Sequence, residues 1–338
     1  MPISRITKGV NDDVSVPAIE MRLRSAHQGL PDASKPIAVN TTGSSPIDLG
    51  GFGSDVGQKS TAAVLNGNNS GVSVVAAATP AATARLLNIS TRGRVQTGDD
   101  VLIGGFIIKN GTKQVVLRGI GPSLAAAGVP SVLADPVLEL HRPNGKVTTN
   151  DDWPTARADV QTTGIPPGNV KESAIVAHLP SGNYTVILRG KNNTGGIGLV
   201  EVYDLDSMGV AELVNISSRG IVGIGDNVLI GGIIVGPSGA AGSRVLARAI
   251  GPSLARSGVT NPLLDPTLEL HDKNGVLIAA NDNWKDTQKV AIQATTAPPN
   301  DDRESALLLT VAPGNYTAIV RGRNGTAGIA LVEVYNLH

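Results

Sequence analysis

The residues best suited to chemistry in this chain are acidic, and they come twice. Asn150-Asp151-Asp152 stands directly before Trp153, and Asn281-Asp282-Asn283 directly before Trp284. Asp135 and Asp265 sit just ahead of the apolar stretch that precedes each loop. A hard cation such as Ca²⁺ needs several oxygen ligands converging on one point. Asp135, Asn150 and Asp151, and in parallel Asp265, Asn281 and Asp282, are the candidate calcium ligands. The alternative use of such residues is to close a turn through side chain to backbone hydrogen bonds. Trp153 and Trp284 are candidate ligand-binding residues, since a sugar ring stacks on an exposed indole. A lone Trp also serves to cover the end of an apolar core.

Other chemistry is thinner. His141 and His271 each follow a glutamate, Glu139 or Glu269, by two residues. On a strand that spacing puts both groups on one face, as a metal or proton-relay pair would need. A metal site needs further protein ligands, so a surface pair is the simpler reading. Gly119-Ile120-Gly121-Pro122-Ser123-Leu124 has the outline of a phosphate loop, but lacks the third Gly of a dinucleotide fingerprint and the Lys of a P-loop. It reads as a turn that starts a short helical segment. There is no Gly-x-Ser-x-Gly and no His-Glu-x-x-His. The expectation is a protein that is not an enzyme and has no cofactor, calcium being the candidate ion.

Composition narrows the partners. Lys plus Arg number 28 and Asp plus Glu number 28, so the net charge is zero. A nucleic-acid binder needs a basic face, and none is expected here. The chain has no Cys, which excludes disulfides and thiol chemistry. No run reaches the ~18 apolar residues of a membrane span, and no signal peptide is visible after Met1. With 2 Trp, 2 Phe and 4 Tyr, the cores must be built from Val, Ile, Leu and Ala.

What positions the acidic loops is an internal duplication. Leu87-Asn88-Ile89-Ser90-Thr91-Arg92-Gly93 recurs as Val214-Asn215-Ile216-Ser217-Ser218-Arg219-Gly220. Val101-Leu102-Ile103-Gly104-Gly105 recurs as Val228-Leu229-Ile230-Gly231-Gly232. Ile120 to Ala125 recurs as Ile250 to Ala255, Glu172-Ser173-Ala174 as Glu304-Ser305-Ala306, and Leu199 to Tyr203 as Leu331 to Tyr335. The organisation is therefore 1–84, 85–207 and 208–338, with two copies of one domain after an N-terminal segment.

Each copy reads as short strands. Leu138 and Leu140 alternate with Glu139 and His141, and Asn144-Gly145 supplies a type I′ turn back through Lys146 to Thr149. Asn274-Gly275 repeats it. A second hairpin is expected from Ala174 to Leu179 and Asn183 to Arg189 about Ser181-Gly182. Val101 to Ile108, Gln114 to Arg118 and Ile197 to Leu205 are further strands. Pro122 to Ala127 and Pro252 to Arg256 are short helical turns, with Pro at the start and Gly128 or Gly258 after. Glu201 and Glu333 share a strand face with Tyr203 and Tyr335, and pair with Arg118 and Arg248 or with Arg189 and Arg321. Seven or eight strands with turns every ~10 residues describe a β-sandwich. The fold class expected is all-β: two tandem jelly-roll-like β-sandwich domains preceded by an extended N-terminal segment.

The run Asp265 to Gly275, then Asn281-Asp282-Asn283-Trp284, Glu304-Ser305-Ala306, Pro313-Gly314-Asn315-Tyr316-Thr317 and Arg321-Gly322, resembles the bacterial pre-peptidase C-terminal (PPC-like) domain. The first copy carries the same pattern. The resemblance covers roughly the last two-thirds of each copy. It implies a secreted jelly-roll sandwich of the kind appended to proteases and surface proteins, some members of which are similar to calcium-binding modules.

The first 84 residues differ. Pro17 to Ala26 reads as a short helix, and 29–69 is rich in Gly, Ser, Asn, Asp and Thr. Ala62 to Leu65 and Val72 to Ala78 are apolar runs of strand character. Ordering such a segment costs ~1 kcal/mol or more per residue in backbone entropy, which its own apolar content does not offset. It would order by packing on the repeats or on another subunit, most economically by adding a strand to an open sheet edge. The alternative is a linker. The leading expectation is a non-catalytic extracellular or cell-surface protein. It is structural or adhesive, and self-assembles into a filament or surface layer through its N-terminal arm. The second is a secreted accessory module for glycan or protein, with calcium as stabiliser. They separate experimentally, because one needs the arm and the other the Trp loops.

Overall fold

The computed structural model describes residues 84–98, 101–207, 209–225 and 228–337. The expected arm falls outside them except for Ala84, which is fully buried. Eight strands come from the first copy: β1 (Arg85–Val95), β2 (Leu102–Lys109), β3 (Lys113–Ile120), β4 (Pro136–His141), β5 (Val147–Asn150), β6 (Ser173–Leu179), β7 (Gly182–Gly190) and β8 (Gly196–Asp204). Eight come from the second: β9 (Glu212–Val222), β10 (Leu229–Gly236), β11 (Ser243–Ile250), β12 (Pro266–Asp272), β13 (Leu277–Asn281), β14 (Ser305–Val311), β15 (Gly314–Gly322) and β16 (Gly328–Leu337). Among the described residues helix is limited to α1 (Arg157–Thr162), α2 (Lys289–Gln293) and short 3-10 turns. The fold is all-β, as expected.

The ladders are antiparallel and form a 16-stranded network. It resolves into two rows of eight. One runs β6-β3-β8-β1-β10-β15-β12-β13. The other runs β14-β11-β16-β9-β2-β7-β4-β5. A single bridge, Leu86↔Leu213, joins them. Within the first copy the two strand orders are β1-β8-β3-β6 and β2-β7-β4-β5, those of a two-sheet jelly roll. The second copy repeats them. The copies are not separate sheets, however: each row takes four strands from each, and one apolar core runs through both, from Leu86, Phe106 and Leu138 to Leu229, Leu268 and Val320.

The junction has approximate two-fold symmetry. Ser90 faces Gly232 and Arg92 faces Ile230, while Ser217 faces Gly105 and Arg219 faces Ile103. Thr91 and Ser218 meet through their hydroxyls at 2.5 Å. A Cβ on Gly105 would stand 2.6 Å from Ser217 Oγ, so the glycine leaves room for the serine side chain of the other copy. The Asn-Ile-Ser-(Thr/Ser)-Arg-Gly and Ile-Gly-Gly motifs therefore form the seam between the copies.

Two expected hairpins are corrected. The Asn144-Gly145 turn is not type I′. Only the glycines take positive φ, Gly145 at 80° and Gly275 at 79°. Gly145 N donates to Arg142 O at 3.0 Å and Arg142 N to Lys146 O at 3.0 Å, the pattern of a three-residue loop closed by a glycine bulge. A type I′ turn on this dipeptide needs positive φ at the asparagine as well as the glycine, and neither Asn144 nor Asn274 takes it. The segment around Ser181-Gly182 does separate two strands, but β6 pairs with β3 while β7 pairs with β2 and β4. The turn carries the chain from one sheet to the other, and Tyr184 Oη donating to Pro180 O at 2.6 Å holds it.

Candidate functional site

Each acidic loop is built by three chain crossings at one end of β4, β5 and β7, or of β12, β13 and β15. In the first copy Asp135 precedes β4, Asp151 and Asp152 follow β5, and Lys191 follows β7. One carboxylate oxygen each from Asp135, Asp151 and Asp152 lies within 4.8 Å of the others. Lys191 Nζ is 2.6 Å from Asp151 Oδ2 and 3.9 Å from Asp152 Oδ2, and Lys191 N donates to Asp135 O at 2.8 Å. The Asp151 hydrogen bond holds the Lys191 ammonium above its ordinary value. In the second copy Arg323 takes the place of Lys191: its N donates to Asp265 O at 2.9 Å, and its guanidinium pairs with Asp282. Burial, then the Asp282 charge, raises the Asp265 carboxyl above its usual range, against Arg323 and Arg303. The Oδ1 atoms of Asp135, Asp151, Asp265 and Asp282 are all buried without a hydrogen-bond partner.

The asparagines expected as ligands are committed elsewhere. Asn150 Oδ1 accepts from Ala174 N at 2.8 Å, and its amide donates to Thr155 Oγ1 at 3.0 Å. Asn281 Oδ1 accepts from Ala306 N at 3.0 Å, and its amide donates to Asn283 O at 3.0 Å. Both staple the loop to β6 or β14, and neither turns a free oxygen toward the carboxylates. Asp152, absent from the expected ligand set, joins the first cluster instead.

Trp153 and Trp284 are corrected as well. They are only 8% and 4% exposed, and their indole N–H groups donate to Asn169 O at 3.0 Å and Asp301 O at 3.1 Å. Arg157 and Lys285 lie over the rings at 5.3 and 5.2 Å. Trp153 packs with Val160 of α1 and Ala174, and Trp284 with Ile292 of α2 and Ala306. The rings close the core beneath the two short helices, which the sequence reading missed, and offer no open face to a sugar.

The glycine turn binds an anion, but the anion is the protein's own. Glu172 Oε1 accepts from Gly121 N at 3.1 Å and Ser123 N at 2.8 Å, and its Oε2 from Ser123 Oγ at 2.7 Å and Asn169 N at 3.0 Å. Glu304 does the same with Gly251 N, Ser253 N, Asn300 N and Asp301 N at 3.0 to 3.2 Å. Both carboxylates are fully buried.

The Arg-Glu-Tyr expectation resolves to Arg118 and Arg248. Arg118 Nε and Nη2 donate to Glu201 Oε2 at 2.9 and 2.6 Å, and Tyr203 Oη donates to Glu201 Oε1 at 3.0 Å. Arg248, Glu333 and Tyr335 repeat the triad. Arg189 goes to Glu139 at 3.2 Å, beside His141 at 2.9 Å from the same carboxylate, and His271 pairs likewise with Glu269 at 3.0 Å. Each histidine has one carboxylate and no further side-chain ligand among the described residues.

No family model and no curated protein matches the chain. Among solved structures it aligns with two mutants of Bacillus subtilis oxalate decarboxylase. Both are 7% identical with a TM-score of 0.17, covering 74% and 76% of this chain and 69% and 73% of theirs. At those scores neither fold detail nor chemistry transfers.

Proposed function

We propose that the protein is a non-catalytic, extracellular structural or adhesive subunit that self-assembles by strand addition from its N-terminal arm. The observation that carries this reading is the use made of the duplicated polar residues. Glu172, Arg118, Glu201, Asn150 and Thr91, with their counterparts, are bound to neighbouring strands and turns rather than gathered around a cleft. Such positions hold a scaffold together. The jelly-roll strand order and the PPC-like motifs support the same class. Among the described residues the sheets also have free edges: β5, β6, β13 and β14 each pair on one side only. Beside and on β13, Val276, Leu277 and Ile278 are exposed, and an open apolar edge is a template for an added strand. No described helix is long and apolar enough to cross a membrane.

The test is light scattering with negative-stain microscopy on the full chain and on a truncation beginning at Ala82, which keeps the buried Ala84. The full chain is expected to form fibres or closed oligomers while the truncation stays monomeric. Two monomers of the same shape would overturn the reading.

A second reading, a calcium-stabilised binding module, is favoured by the four unpartnered carboxylate oxygens in equivalent places. Its ligands are Asp135, Asp151 and Asp152, and Asp265 and Asp282, with Lys191 and Arg323 displaced. It predicts that millimolar Ca²⁺ raises the melting temperature by several degrees, by mass action on the folded state. The double variant Asp151→Asn/Asp282→Asn removes that gain. An unchanged melting temperature in the parent chain eliminates this reading.

A further inference from the structure

One buried polar pair differs in its chemistry between the two copies. The β3–β8 ladder sets Val115 opposite Asp204, so Lys113, two residues along, is its diagonal neighbour on the same face, within reach of a long side chain. Both side chains are 0% exposed, and Lys113 Nζ lies 2.8 Å from Asp204 Oδ2. Nζ also donates to Asp206 O at 2.5 Å, while Asp206 N donates to Asp204 Oδ1 at 2.7 Å. The amine and the carboxyl are thus held in contact from both sides. Burial raises the Asp204 carboxyl above its ordinary range, favouring the protonated acid. In the second copy the β11–β16 ladder places Ser243 and Asn336 in the same relation, joined by a hydrogen bond of 2.5 Å. The fold therefore needs only a neutral contact here. A buried ion pair gains little over such a contact once desolvation is charged against it.

We propose that Lys113 and Asp204 condense into an intramolecular amide cross-link. Nζ passes a proton to Oδ2, leaving an amine and a carboxylic acid. The amine lone pair attacks Asp204 Cγ, and the Asp206 N–H stabilises the negative charge developing on Oδ1. The Cγ–Oδ2 bond then breaks, and Oδ2 leaves as water with the proton it took and a second from the nitrogen. One C–N bond forms, one C–O bond breaks, and nothing is oxidised or reduced. The product ties β3 to the end of β8, closing most of the first copy into one covalent loop at the point where the chain crosses to the second. This inference is independent of the assembly reading.

The experiment is intact-mass and peptide mass spectrometry on the folded full chain. The control is Lys113→Ser/Asp204→Asn, which copies the pair that the second repeat already folds with. The parent chain is expected to be lighter than its sequence by one water, with a joined proteolytic fragment containing both Lys113 and Asp204. The double variant is expected at its full sequence mass. A parent chain that keeps its full mass after prolonged incubation overturns the proposal. So does a dehydrated chain with no joined fragment, since that places the lost water elsewhere.

Discussion

Replacing Glu172 with Ala is expected to lower the stability of the folded chain by about 3–5 kcal/mol, because several buried donors lose their charged acceptor at once. The carboxylate takes four donors: the N–H groups of Gly121, Ser123 and Asn169, and the Ser123 hydroxyl. Each donor left buried without a partner costs on the order of 1–3 kcal/mol, and water entering the space recovers part of the sum. Glu172→Gln is the sharper variant. It keeps the shape, but its amide must turn an N–H toward at least one of those donors, for a loss of about 2–3 kcal/mol. Glu304→Gln should behave alike, because Gly251, Ser253, Asn300 and Asp301 surround it in the same way. Lys171→Ala, at a solvent-facing neighbour whose side chain is 59% exposed, should change stability by no more than about 0.5 kcal/mol. Urea denaturation of the variants measures all four. A loss below about 1 kcal/mol for Glu172→Ala would mean that the turn finds its hydrogen bonds without the carboxylate.

That carboxylate shows where the sequence was legible and where it was not. Wherever the signal was local, it was readable. Leu138 and Leu140 alternate with polar neighbours, and they form β4 as the alternation requires. Pro122 and Gly128 bracket a 3-10 turn because one starts such a turn and the other, at φ 80°, ends it. The role of Glu172 depends on a partner 51 residues away, and no spacing rule connects a glycine turn to it. The same holds for Asn150 and Trp153. Their loop was found, but Asn150 is turned to Ala174, and Trp153 N donates to Glu172 O at 2.7 Å. The duplicated Asn-Asp-(Asp/Asn)-Trp and Glu-Ser-Ala segments are thus one structural joint seen as two motifs. β1 was hidden for another reason. Asn88, Ser90, Thr91 and Arg92 look like loop residues, yet all are buried. Their surroundings come from the other copy, which supplies Gly232 and Ser218 opposite them.

The described β-structure is expected to unfold in a single calorimetric transition, although the sequence contains two domain-length repeats. Independent domains joined by a short linker would melt separately, each with its own midpoint. Here β1 pairs with β8 of its own copy and β10 of the other, and β9 pairs with β16 and with β2. Unfolding the first copy alone would strip one edge of hydrogen bonds from β9 and β10, and unfolding the second would do the same to β1 and β2. It would also open the core that Leu86 and Leu213 share, both fully buried. Exposing a single Leu of that kind costs about 1.5–3 kcal/mol, so a half-unfolded state carries a penalty at every position along the seam. The seam can be probed at one residue. Gly105→Val places a branched side chain where a Cβ alone would already meet Ser217 Oγ at 2.6 Å, and overpacking of that kind costs about 1–3 kcal/mol. Because Gly105 belongs to the first copy and Ser217 to the second, the variant should shift the whole heat-absorption peak to lower temperature and keep it single. A peak that splits, with only half of its area moving, would show that the copies fold separately and that the continuous sheets do not couple them.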